Sequence, residues 1–106
     1  MCDKNSDQFI KNLIYKNKVV IFGLSHDEFS EKSNTFFQEK FSHNSVNIRL
    51  DQIKFENKNE ENSLMHCLKL KSKSNILPMI FLNGMYIGNY SSLSNYDYKK
   101  DLDIFF

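Results

Sequence analysis

One proline and three glycines are all that punctuate the 106 residues. That scarcity leaves no linker, repeat or low-complexity stretch to divide the chain. A single domain over 1–106 is expected, with residues 1–5 as a flexible N-terminal tail. Cysteine is also scarce. Cys2 and Cys67 are the only two, far short of the spaced cluster a structural zinc site needs, so no metal is expected. With Cys2 placed in the tail, the pair reads as two free thiols in a reducing compartment, although one disulfide between them stays open. An excess of one charge sign is missing too. Lys+Arg is 14 against 13 Asp+Glu, and a net charge of +1 gives no basic footprint for nucleic acid. No apolar run approaches the about 18 residues of a membrane span, so no membrane partner is expected. The opening MCDKNSDQF is polar and acidic, unlike a secretory signal, and a cytoplasmic location is the expectation.

What is present is enough for a core. Hydrophobic residues make up 41% and aromatics 14%, with ten Phe, too apolar for a disordered chain. Phe9, Ile10, Leu13 and Ile14 form one helical stripe over 6–16, with Ser6 or Asp7 as its N-cap. Val19 to Phe22 is a β-branched, fully apolar run, suited to a strand buried on both faces. Phe29, Ser33, Phe36, Phe37 and Phe41 recur at helical spacing over 28–41. Val46, Ile48 and Leu50 alternate with polar residues and predict a second strand. Leu64, Met65 and Leu68, with Cys67, predict a helix over 60–71. Its terminal Lys69, Lys71 and Lys73 read as a solvated face. Asn83-Gly84 between Met79–Leu82 and Met85–Ile87 is a hairpin signal, because both central residues of a type I′ turn need positive φ. Ser91 or Ser92 then caps a last helix, and the 99–106 tail packs Leu102, Ile104 and Phe105 on the body. The order α-β-α-β-α-β-β-α predicts an α/β fold: a four-stranded mixed sheet with helices on both faces.

This order, with FIKNLIYKNKVVIF, ILPMIFLNG and IGNYSSL at its corresponding places, resembles the glutaredoxins, which share the thioredoxin fold. FIKNLIYKNKVVIF looks like the family's opening helix and first strand. ILPMIFLNG looks like its T-V-P strand, and IGNYSSL looks like its glycine-rich turn. The resemblance covers roughly residues 6 to 100. It implies a cis proline at Pro78 and a substrate groove beside it. In the family the first strand leads to Cys-Pro-Tyr-Cys, or to Cys-Gly-Phe-Ser. Counted from the strand, Asp27, Glu28, Phe29 and Ser30 fall on that motif, so the nucleophilic cysteine is replaced by Asp27.

The replacement decides the chemistry. Thiol–disulfide exchange needs a thiolate, favoured by a helix N-terminus. A carboxylate is also favoured there as an anion, but it cannot attack a disulfide sulfur. The serine hydroxyl of Ser30 does not perform the exchange either. No catalytic residue is therefore expected, the motif being degenerate. Ser25-His26-Asp27-Glu28 also fits a capping box, with Asp27 as N-cap the alternative. The family's basic contact to glutathione falls on Leu24, another often basic place falls near Asn75, and its aspartate pair falls on Ser91 and Ser92. These departures leave at most weak glutathione binding, and no other cofactor is expected. The candidate groove residues are Ser25, Asp27, Leu77, Pro78, Ser91 and Ser92, with Phe29 beside them. The expected function is a non-catalytic module that holds an unidentified peptide or protein partner in the former glutathione groove, a glutaredoxin-like pseudoenzyme. The alternative is a glutathione-dependent thiol-disulfide oxidoreductase in cell redox homeostasis, acting through Cys2 or Cys67. A third reading is assembly through Tyr96, Tyr98, Phe105 and Phe106.

Overall fold

The computed structural model of the chain describes residues 2–41 and 44–91, and the side chains of residues 40 and 41 are not among those described. The elements are α1 (Lys4–Lys16), β1 (Val19–Gly23), α2 (Glu28–Phe41), β2 (Ser45–Arg49), a 3-10 turn (Leu50–Gln52), α3 (Lys58–Ser72), β3 (Met79–Leu82) and β4 (Met85–Gly88). The sheet order is β2-β1-β3-β4. β1 runs parallel to β2 and antiparallel to β3, and β3 to β4 is antiparallel. The expected mixed four-stranded sheet is present. The helix expected after Ser91 and the packing of the 99–106 tail lie outside the described residues.

β1 explains the layering. Its side chains alternate between faces and all are buried. Val20 and Phe22 pack with Ile10, Ile14, Leu64 and Leu68 of α1 and α3. Val19 and Ile21 pack on the other face with Phe37 of α2. A strand sandwiched in this way has no polar side, which is why its sequence shows no alternation. The hairpin follows from Asn83 and Gly84, both at positive φ, 50° and 83°.

The N-terminus departs from expectation. Residues 2–5 are not a loose tail. α1 starts at Lys4, and its N-cap is Asp3 rather than Ser6 or Asp7: the Ser6 N–H donates to Asp3 Oδ1 at 2.8 Å. The Asp3 N–H donates to Ser63 Oγ of α3 at 2.8 Å. Cys2 and Cys67 are joined in a disulfide, so neither is a free thiol. These tertiary anchors carry the helix start two residues upstream of the first local capping candidate. Lys71 is also more than a solvated residue. It reaches Asp7 Oδ1 at 2.8 Å, while Lys11 reaches Oδ2 at 3.1 Å.

Asp7 therefore ties α1 to α3 by charge. Lys71, then Lys11, hold its carboxyl below the ordinary 3.8. A carboxyl depressed in the folded chain stabilises fully above its unfolded value, and that contribution is lost as pH falls through the folded one. The urea midpoint of the wild type is expected to drop between about pH 4 and more acidic conditions, and Asp7→Asn should flatten this part of the profile. Equal acid slopes in both proteins would remove Asp7 from the account.

Candidate functional site

The candidate site lies where β1 hands over to α2. Residues 24–27 form the connection, and His26 turns the chain in the left-handed region at φ 61°. Asp27 then starts the helix. Its Oδ2 accepts from the Ser30 N–H at 2.9 Å and from the Ser30 hydroxyl at 2.7 Å, and its carbonyl accepts from the Glu31 N–H at 3.0 Å. Of the two capping arrangements open in the sequence, Asp27 holds the role. The Ser25 N–H donates instead to Asp51 Oδ1 at 2.9 Å, and this bond holds the Asp51 carboxyl below its ordinary value. Glu28 pairs with Lys32 at 2.8 Å, one turn along α2.

Ser30 is the hub of this start. It is 2% exposed, donates to Asp27 and accepts from the Leu24 N–H at 3.1 Å. It also lies hard against β1: a β-carbon built on Gly23 would overlap the Ser30 side chain, and would stand 3.7 Å from Pro78 Cβ. Only a residue without a side chain lets the helix come this close to the strand.

Beside this junction is a cleft of about 260 Å³, lined by Phe29, Ile76, Leu77, Pro78, Tyr90 and Ser91, with Asn89. The Leu77–Pro78 bond is cis, and Pro78 is buried. Phe29 is half exposed and stacks on Tyr90, ring centroids 5.6 Å apart. The Ser91 hydroxyl donates to Asn89 Oδ1 at 2.6 Å. Leu77 stands outside the β1–β3 ladder, which begins at the Phe22–Met79 pair, and lines the cleft.

The structure thus gathers Leu77, Pro78 and Ser91 of the candidate residues, together with Phe29. It does not place Asp27 or Ser25 in the cleft wall. The Asp27 carboxylate is turned to the helix start and the Ser25 amide to Asp51. Ser92 lies outside the described residues. Ile76, Asn89 and Tyr90 were not singled out in the sequence. An apolar residue ahead of Leu77-Pro78, and a tyrosine two residues beyond Gly88, are the signals that mark Ile76 and Tyr90. The chemistry available is recognition by apolar and aromatic contact. No cysteine lines the cleft, and no group of His, Cys, Asp and Glu suited to a metal occurs among the described residues. No helix among them is long and apolar enough to cross a membrane.

Comparison with solved structures agrees with this fold. The chain is similar to wheat glutaredoxin, with a TM-score of 0.76 and 19% identity over 96% of this chain and 93% of that one. It is similar to buckwheat glutaredoxin in complex with glutathione, TM-score 0.73, 19% identity, over 92% and 82% of the two chains. A dithiolic glutaredoxin from Trypanosoma brucei brucei gives 0.70 and 24% identity over 89% and 91%. The fold is that of the glutaredoxins, a thioredoxin fold. No family model and no curated protein matches the chain.

Two outcomes test the junction. Gly23→Ala should destabilise the protein by about 1–3 kcal/mol in urea unfolding, with a smaller cost in a Ser30→Gly background because the overlap is relieved. Strictly additive costs would show that the two residues do not share the space. Asp27→Cys should titrate below the ~8.5 of a free cysteine, because its sulfur inherits a helix N-terminus. An unshifted thiol would mean that the cap does not favour an anion.

Proposed function

We propose that the chain is a non-catalytic binding module that holds an extended peptide segment of a partner protein in the cleft at Leu77-Pro78. The observation that carries this reading is the cleft itself. Phe29, Ile76 and Tyr90 give it apolar, partly exposed walls, while no sulfur stands at the start of α2, where Asp27 is spent on capping. A volume of about 260 Å³ suits one or two side chains of an extended chain better than a whole cofactor. Leu77 offers backbone groups to such a chain, as sheet edges do in strand addition. The buckwheat glutaredoxin of the same fold is a complex with glutathione. In the present chain Leu24, Ser91 and Ser92 stand where the family's charged contacts fall, so glutathione is a weak ligand at most.

The competing reading is a glutathione-dependent oxidoreductase acting through Cys2 or Cys67. The observation in its favour is that these two sulfurs form an oxidisable pair.

One pair of experiments separates the readings. In an NMR titration, apolar extended peptides should shift Phe29, Leu77 and Tyr90 resonances, with smaller shifts for glutathione. Silence of all cleft resonances toward both would remove the binding reading. In the reduction of a small mixed disulfide by glutathione, no turnover is expected. Turnover that vanishes in Cys67→Ser would establish the enzyme instead.

A further inference from the structure

The Cys2–Cys67 disulfide closes a span of 65 residues, and its two sulfurs are unequal. Cys67 is fully buried on α3, packed with Leu64 and Leu68. Cys2 is partly exposed, just ahead of Asp3 and α1. Asp3, whose carbonyl oxygen lies 3.8 and 3.9 Å from the two sulfurs, and Leu64, one turn before Cys67, line a cavity of about 500 Å³ between the starts of α1 and α3. Its other walls include Ser6, Phe9, Phe55 and Glu60. Two of its lining residues are carboxylates and none is a cation. The Ser6 amide holds the Asp3 carboxyl below its ordinary value, so that wall is anionic at neutral pH.

We propose that this bond is a thiol-exchange site that accepts small cationic aminothiols. The inference is independent of the reading of the cleft, whose lining shares no residue with this cavity. The incoming thiolate attacks the reachable sulfur, Cys2 Sγ, since access selects the sulfur that reacts. A bond forms between the two. The Cys2–Cys67 bond breaks, and its electron pair leaves on Cys67 Sγ, which takes a proton. One disulfide replaces another, so this step involves no net oxidation. A second aminothiol then attacks the mixed disulfide and frees the Cys2 thiol. Over both steps two aminothiols are oxidised to their disulfide, and the protein bond is reduced to two thiols.

The buried sulfur is provided for after exchange. The Asp3 carbonyl oxygen lies 3.9 Å from Cys67 Sγ and accepts the new S–H, while burial keeps that thiol neutral. A neutral thiol is a poor nucleophile, so Cys67 does not reverse the first step and the adduct on Cys2 lasts until a second aminothiol attacks it. The two carboxylates attract a cationic thiol and repel an anionic one. Exchange also unfastens the chain. The disulfide, the Asp3–Ser63 hydrogen bond and the Asp7–Lys71 ion pair hold the start of α1 on α3, and only the first is covalent.

The test uses the native full chain with cysteamine as the cationic thiol and glutathione as the anionic one, rates being compared per thiolate. Intact mass and peptide mapping should show one cysteamine group, on Cys2 alone. Cysteamine should react at least about threefold faster than glutathione, and the pair Asp3→Asn with Glu60→Gln should level the two rates. Amide hydrogen exchange at Ser6 and Asp7 should be faster in the adduct and in Cys2→Ser, where Cys67 takes up no thiol. An adduct on Cys67, or a bond that resists both thiols until denaturant is added, overturns the site. Equal rates in the wild type overturn the preference for cations. Unchanged exchange at Ser6 and Asp7 in Cys2→Ser overturns the unfastening.

Discussion

The first turn of α2 rests on the end of β1, so closely that Ser30 fills the space a side chain at Gly23 would need. The cleft follows from that contact. β1, like β3, is buried on both faces along its whole length, so its position is fixed by the core on either side. Gly23 ends it at the point where Pro78 and Ser30 meet. The close approach sets the start of α2, and with it Phe29, against the Ile76–Pro78 segment. A bulkier residue at 23 would push helix and strand apart and open the junction on which the Phe29–Tyr90 stack depends.

The same contact explains what occupies the helix start. Two amides at this junction are satisfied by side chains: that of Leu24, in the connection, by Ser30 Oγ, and that of Ser30, in the first turn, by the Asp27 carboxylate. The Ser30 hydroxyl completes the set by donating to Asp27. The arrangement is self-contained. Two bonds on Oδ2 hold the Asp27 carboxylate at the helix start, where the field of the first turn favours its charge. A thiolate at the same place would enjoy the same favourable field and would remain a nucleophile. An oxygen acid at this helix start shares that electrostatic advantage but, unlike a thiolate, does not attack a disulfide.

Where local physics decides, the sequence was readable. The period of Phe29, Ser33 and Phe37 marked α2 at its observed limits, and Asn83-Gly84 marked the hairpin because few residues accept two successive positive φ values. The unbroken apolar run of β1 announced burial on both sides. Features set by distant partners were not readable. Nothing near Asp3 signals a cap, since Ser6 and Asp7 are equally able donors of the role. Asp3 is selected by Ser63 and by the Cys2–Cys67 bond next to it, some sixty residues on. Lys71 looked solvated because its partner Asp7 belongs to another helix. At the cleft, Pro78 and Leu77 were legible through the family resemblance, whereas Tyr90 becomes a wall only through its stack on Phe29.

The placement of the two cysteines separates the roles of sulfur and scaffold. No cysteine stands at the start of α2, where Asp27 caps the helix. Cys67 instead points into the core between α1 and α3, packed among Leu64, Leu68 and Ile14. A sulfur so enclosed has access to one partner only, and the chain supplies it from residue 2. The bond does for α1 what a longer apolar contact would do in a larger domain: it holds a short amphipathic helix onto a small core. That is a fastening role at one edge of the molecule. It leaves the cleft at Leu77-Pro78 to be judged on its apolar walls, since no sulfur chemistry within the described residues reaches it.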